Sequence, residues 1–141
     1  MARVLTIRQP WAAAIIYAGK DVENRSWATR YRGRLYIHAG MRLDPDDVLP
    51  AEVPVVHGAI IGHVELVDIA TGSPSHWAEP GQYHWLLANP VPLPSPVPAK
   101  GRLGLWSPDN ELAAVLGRVE RITSSQQAAS PSCRAARSDA S

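Results

Sequence analysis

The stretch "GAIIGHVELVDIA", residues 58–70, constrains the fold most strongly. Its alternation predicts a long strand, with Val64 and Leu66 on one face and His63 and Glu65 on the other. Gly58 and Gly62 mark a bend or bulge of the kind a curved wall needs. A bent strand of this length needs partners, and the rest of the chain supplies them. "RVLTI" (3–7) alternates like a strand. "DVENRSW" (21–27) puts Asp21, Glu23, Arg25 and Trp27 on one face and Val22 on the other. "GRLYIHAG" (33–40) separates Leu35 and Ile37 from Arg34, Tyr36 and His38. "YHWLLANPVPLP" (83–94) runs into prolines, whose missing N–H keeps its end out of the middle of a sheet. "GRLGLW" (101–106) closes the ordered part.

Helical spacing is confined to two places. "QPWAAAIIYAG" (9–19) predicts a short helix, with Pro10 at the first helical position and Gly19 as its stop. Trp11, Ile15 and Ala18 share one face and point to the core. "SPDNELAAVLGRVERI" (107–122) opens with a helix-start signal and carries apolar residues at helical spacing. Between the strands, "RLDPDDVLPAEVP" (42–54) is a proline- and acid-rich connection with a helical turn expected from Pro45. From Thr123 onward large apolar residues are lacking, as in a disordered tail. The expectation is α+β: a small, partly open barrel of five or six mixed strands with an N-terminal helix over 1–107, a helix over 108–122 and a disordered tail over 123–141.

Several function classes drop out. No apolar run approaches the roughly 18 residues of a membrane span, and "MARVLTIRQPW" lacks the pattern of a secretory leader; a cytoplasmic protein is the default expectation. Cys133 is the only cysteine, so no intrachain disulfide or thiolate metal cluster is expected. The five histidines lack metal-ligand spacing, so no metal is expected. No dinucleotide fingerprint or P-loop follows a strand, so no cofactor is expected. No serine sits in a nucleophile elbow.

What remains is charge. Residues 1–42 hold eight Arg and Lys against Asp21 and Glu23, whereas residues 43–99 hold seven acids and no Arg or Lys. The basic third can attract phosphate; equally, the two segments can pair in the fold. "GKDVENRSW" (19–27) concentrates the question. Lys20, Glu23 and Arg25 form either a surface ion-pair array or the floor of a polar site offering both donors and acceptors. "RYRGR" (30–34) interleaves Arg30, Arg32 and Arg34 with Tyr31, as phosphate contact with base stacking requires, or as a solvated basic turn allows. Of Trp27, Trp77, Trp85 and Trp106, most belong to packing and one or two to a stacking pocket.

"LTIRQPWAAAIIYAGKDVENRSWATRYRGRLYIHAG", "IIGHVELVDI", "YHWLLANP" and "KGRLGLW" together resemble the activating-signal-cointegrator homology (ASCH) domain of the PUA-like superfamily, over about residues 4–107. The resemblance implies a small β-barrel with a cleft on one side. The family's polar signature matches Lys20, Glu23 and Arg25, with Gln9, Trp11 and Lys100 completing the cleft and Trp27 and Arg32 added as ligand-binding candidates. PUA-like modules mostly bind RNA or modified bases, so RNA, a single-stranded nucleic acid or a nucleoside is the expected partner. Some relatives are metal-independent hydrolases of acetylcytidine that use a lysine, a threonine and a glutamate, and a ribonuclease activity is claimed for another. Here Lys20 and Glu23 would be the catalytic pair, but Glu23 stands at the threonine position, which removes the hydroxyl of the covalent route.

Overall fold

The computed structural model describes residues 2–44 and 49–129, with side chains through Arg121. The helical turn expected from Pro45, the solitary Cys133 and the tail from residue 130 onward lie outside the described residues. The elements run β1 (Arg3–Gln9), α1 (Trp11–Tyr17), β2 (Val22–Arg25), β3 (Gly33–Leu43), β4 (Ala59–Ala70), β5 (Tyr83–Pro98), β6 (Leu105–Trp106) and α2 (Asn110–Ala129). One mixed sheet in the order β2-β5-β4-β3-β1-β6 carries all six strands. β1 and β3 are parallel, and α1 lies within the connection between them; the other pairs are antiparallel.

The class is α+β as expected, but strand pairing does not close the barrel. The four-residue β2 and two-residue β6 form the edges. They are too short to pair around the remaining gap. A side chain reaches across instead: Arg25, at the end of β2, donates from Nη2 to the Thr6 carbonyl of β1 at 3.0 Å.

The alternation in β3 and β4 has a two-sided outcome. Leu35, Ile37, Val64 and Leu66 pack with Ile15 and Ile16 of α1, Leu5, Ile7 and Trp85 in the inner core. Tyr36 points to the opposite face and joins Val4, Ile60, Leu93, Val97, Trp106 and Leu116 under α2. Both faces of the central strands are thus covered, which explains why polar-looking positions such as His38 and His63 are buried. β5 continues through its prolines. Pro90, Pro92, Pro94, Pro96 and Pro98 are exposed while Leu93 and Val97 are buried, so proline occupies the outer positions of the strand's free end.

Both helices are capped by side chains that the spacing did not assign. α1 starts one residue later than expected, with Pro10 at its N-cap, and the Gln9 amide oxygen accepts from the Ala13 N–H at 3.0 Å. Asp109 caps α2 by accepting from the Leu112 N–H at 2.8 Å. α2 presents Leu112, Val115, Leu116 and Val119 to the outer core, a stripe at helical spacing. Its backbone runs on to Ala129, past residue 122 where the expected helix ended and into the stretch expected to be disordered. Arg34 and Tyr36 clip it to the sheet by donating to Glu120 Oε1 at 2.9 and 2.8 Å.

Gly62 fixes how closely α1 sits on the sheet. A Cβ there would lie 2.6 Å from the Val91 carbonyl oxygen and 2.8 Å from Ile16 Cδ1. Gly62→Ala should therefore lower stability by about 1–3 kcal/mol through overpacking. Urea denaturation checks this; an unchanged midpoint would mean that α1 does not seat against β4 as described.

Candidate functional site

The open seam of the sheet leads into a cleft of about 1380 Å³. Its floor comes from the turn after α1 and from β2. Lys20 and Glu23 are buried side chains at 5 and 7 % exposure, whereas Arg25 is partly exposed. Lys20 Nζ donates to the Val22 carbonyl and lies 3.6 Å from Glu23 Oε1. Arg25 Nε donates to Glu23 Oε2 at 2.9 Å. One carboxylate therefore sits between two cations, and Arg25 also ties the floor to β1. The mixed-charge cluster in the sequence forms the floor of a cleft rather than a solvated array.

Aromatic rings frame Lys20. Its Nζ stands 5.7 Å from the Trp11 ring centroid and 5.8 Å from that of Trp77, and the two rings meet edge to face at 6.2 Å. Such a cation between rings gains about 1 kcal/mol per contact where water is excluded. Trp77 is held in place by Asn24, which donates to the Trp77 carbonyl at 2.9 Å and accepts from the Glu79 N–H at 2.9 Å. Trp27 lines the cleft and stacks edge to face on the buried Trp85. Burial pulls the Lys20 pKa below the ordinary lysine value, with Glu23 opposing the shift.

The rim is basic. The lining contains Arg8, Lys20, Arg25, Arg42, Lys100 and Arg102 against Glu23, Asp44 and Glu79. His38 also faces the cleft. Its Nε2 donates to the Ala99 carbonyl at 2.6 Å, its Nδ1 has no hydrogen-bond partner, and burial lowers its pKa, which favours the neutral ring. Among the described residues no group of three or more His, Cys, Asp or Glu is placed to hold a metal, and no helix is long and apolar enough to cross a membrane.

The structure brings Trp11, Lys20, Glu23, Arg25, Trp27 and Lys100 together around the cleft. It does not bring Gln9 or Arg32 there. Gln9 is fully buried and its amide is used at both ends, donating to the Val56 carbonyl and accepting from Ala13; it positions α1. Arg32 pairs with Asp68 at 3.1 Å, joining the basic third to the acidic segment, the bland alternative that charge segregation had left open. Arg34 likewise serves α2. Asp21, though near the cluster in sequence, accepts from the Ser75 hydroxyl. Trp77, Asn24, His38 and Arg102 were not singled out as site residues. They come from segments far apart in sequence, and only the general surplus of tryptophan hinted at one of them.

The protein is thus a β-rich module: an open six-stranded α+β sheet with a basic, tryptophan-lined cleft on one side. The ASCH domain model matches residues 5–123, so the chain belongs to the ASCH domain family. It is 28 % identical to activating signal cointegrator 1 of Mus musculus and 26 % identical to that of Homo sapiens, in each case over 77 % of this chain. It spans only 22 % of the length of either protein. Among solved structures, a crystal structure of a mutant of ZmASCH from Zymomonas mobilis superposes with a TM-score of 0.52 at 17 % identity, covering 82 % of this chain and 96 % of that one; this likeness bears on the fold.

The buried ammonium gives a signed pH dependence. In the folded chain Lys20 loses its proton below the ordinary value of 10.5. As pH rises toward that value, the unfolded chain binds more protons at this position than the folded one, so the contribution of Lys20 to stability increases. Comparison of the wild type with Lys20→Met in urea from neutral pH to about pH 10 isolates this effect from the tyrosines. The stability difference should move in favour of the wild type with rising pH; a difference that stays flat would mean that the ammonium is not desolvated.

Proposed function

We propose that the cleft binds RNA, receiving one base or modified base of a single strand at the Lys20–Glu23–Arg25 floor. The observation that carries this reading is the buried Glu23 carboxylate, flanked by two cations in a cleft whose lining holds six Arg and Lys, three tryptophans and only two further carboxylates, Asp44 and Glu79. Phosphate alone would be served by cations alone. A carboxylate on the floor suits a ligand that also brings an N–H donor, such as a base amino group. Trp11, Trp27 and Trp77 supply faces and edges for a flat ring. Arg8, Arg42, Lys100 and Arg102 supply the field that draws in the backbone. Membership of the ASCH family supports nucleic-acid association in general.

Titration of a labelled single-stranded RNA at about 50 and about 200 mM salt tests this. Affinity should fall as salt rises, with a slope of about −0.7 per phosphate contacted in a plot of log affinity against log salt. Lys20→Ala and Arg25→Ala should each weaken binding about tenfold, or about 1.4 kcal/mol. Absence of binding, or affinity indifferent to salt, would remove RNA from consideration.

A hydrolytic reading is favoured by one feature, the lowered pKa of Lys20 beside Glu23. Glu23 would act as the base on water and Lys20 would stabilise the developing negative charge, which makes a metal-independent amidohydrolase or ribonuclease. Acetylcytidine and RNA, incubated with the wild type and with Lys20→Ala, decide it. Turnover abolished by the substitution supports catalysis, while turnover that survives it takes Lys20 out of the mechanism.

A further inference from the structure

The cleft continues past its floor to a rim that the base-binding floor does not use. Residues 99–103 line that rim, in a segment anchored at Ala99, Gly101 and Arg102 and, just beyond it, at Leu105. The Ala99 N–H donates to the Gly58 carbonyl at 3.0 Å, and the Ala99 carbonyl accepts from His38. Gly101 is pressed against the sheet: a Cβ there would lie 3.0 Å from His38 Cε1 and 3.1 Å from Thr6. Arg102 lies over the Trp106 ring at 5.8 Å, and Leu105 pairs with Leu5 in the sheet. From this anchored segment Leu103 projects at 98 % exposure, next to Gly104 at φ +67°. Met41, also exposed, lines the same cleft.

A single exposed leucine needs no explanation in general. Here its setting does. It stands on a fixed support at the mouth of a cleft, one residue from Arg102 and three from Lys100, both of which also line it. The cleft volume of about 1380 Å³ exceeds the roughly 300–1,000 Å³ of an ordinary small-molecule site, so one nucleoside leaves much of it unfilled. An apolar side chain that projects beside two cations is suited to entering a base stack while those neighbours hold the phosphates.

We propose that Leu103 is an insertion residue, and that the partner is an RNA with a stacked stem next to the base held on the floor rather than a free nucleoside. This rests on the reading of the cleft as an RNA seat. Lys100 and Arg102 contact phosphates next to the step, Leu103 takes the place of the base that has left the stack, and that base goes to Lys20, Glu23 and Arg25.

The test uses the full chain and two RNA probes: a hairpin carrying 2-aminopurine in the base pair that closes its loop, and an unstructured oligouridine of about ten nucleotides. Anisotropy reports binding and 2-aminopurine fluorescence reports unstacking. Wild type should bind both probes and raise the hairpin fluorescence about twofold or more. Leu103→Ser, a change at a solvent-facing position, should keep oligouridine affinity within about twofold and lose the fluorescence rise. Leu103→Met should retain it. Hairpin binding without a rise, or a rise that persists in Leu103→Ser, overturns the insertion role and leaves RNA binding standing. Failure to bind either probe overturns both readings at once.

Discussion

The site depends on a single carboxylate. Glu23 accepts from Arg25 on one oxygen and faces the Lys20 ammonium with the other. Both cations are drawn into the protein by their neighbours: Lys20 by the rings of Trp11 and Trp77, Arg25 by the Thr6 carbonyl. Without Glu23, two positive groups would face each other across a poorly solvated floor. Such a triad is a weak source of stability, because desolvation offsets most of the attraction. What it supplies is position. It holds the end of β2 beside β1, although the two strands share no backbone ladder and stand four places apart in the sheet.

The cleft and the open seam are therefore one feature. A sheet closed by backbone pairing would have filled the space between β2 and β1 with hydrogen bonds, leaving no concavity there. Closure by one guanidinium leaves room beside it, and that room is lined by Lys20, Glu23 and Trp11. The two cores make this opening tolerable. The inner one, built around α1 and Trp85, and the outer one, covered by α2, grip the central strands from both faces.

Much of this was legible in the sequence where a short-range rule applied. Period-two alternation in β3 and β4 placed Leu35, Ile37, Val64 and Leu66 together on the inner face, and the spacing in "DVENR" brought Glu23 and Arg25 onto one side of β2. Where a side chain's role depended on a distant segment, the sequence was mute. Gln9 resembled a ligand contact because it adjoins Pro10 and Trp11, yet its amide is committed to Ala13 and to Val56, 47 residues away. Arg32 resembled a phosphate contact because of its basic neighbours, yet its partner is Asp68. Trp77 lies in a loop with no periodicity and joins the site because Asn24, together with the Ser75–Asp21 contact, clips that loop beside β2. The backbone of α2 continues past residue 122 into a stretch whose composition, without large apolar residues, carries no helical signal.

The same long-range geometry narrows what the floor can recognise. Lys20 directs one donor to the Val22 carbonyl and another toward Glu23, and Arg25 directs Nε to Glu23 and Nη2 to Thr6. Each cation thus has donor capacity left over, and the carboxylate has lone pairs that two partners do not exhaust. A visitor meets donors and an acceptor side by side. A purely anionic ligand would satisfy the first and be repelled by the second; a purely cationic one would suffer the reverse. A flat heterocycle edge that presents an N–H beside a carbonyl satisfies both at once. On the proposed reading, the tryptophans would select for flatness, the carboxylate for the donor and the two cations for the acceptor, a combination that a nucleobase edge meets.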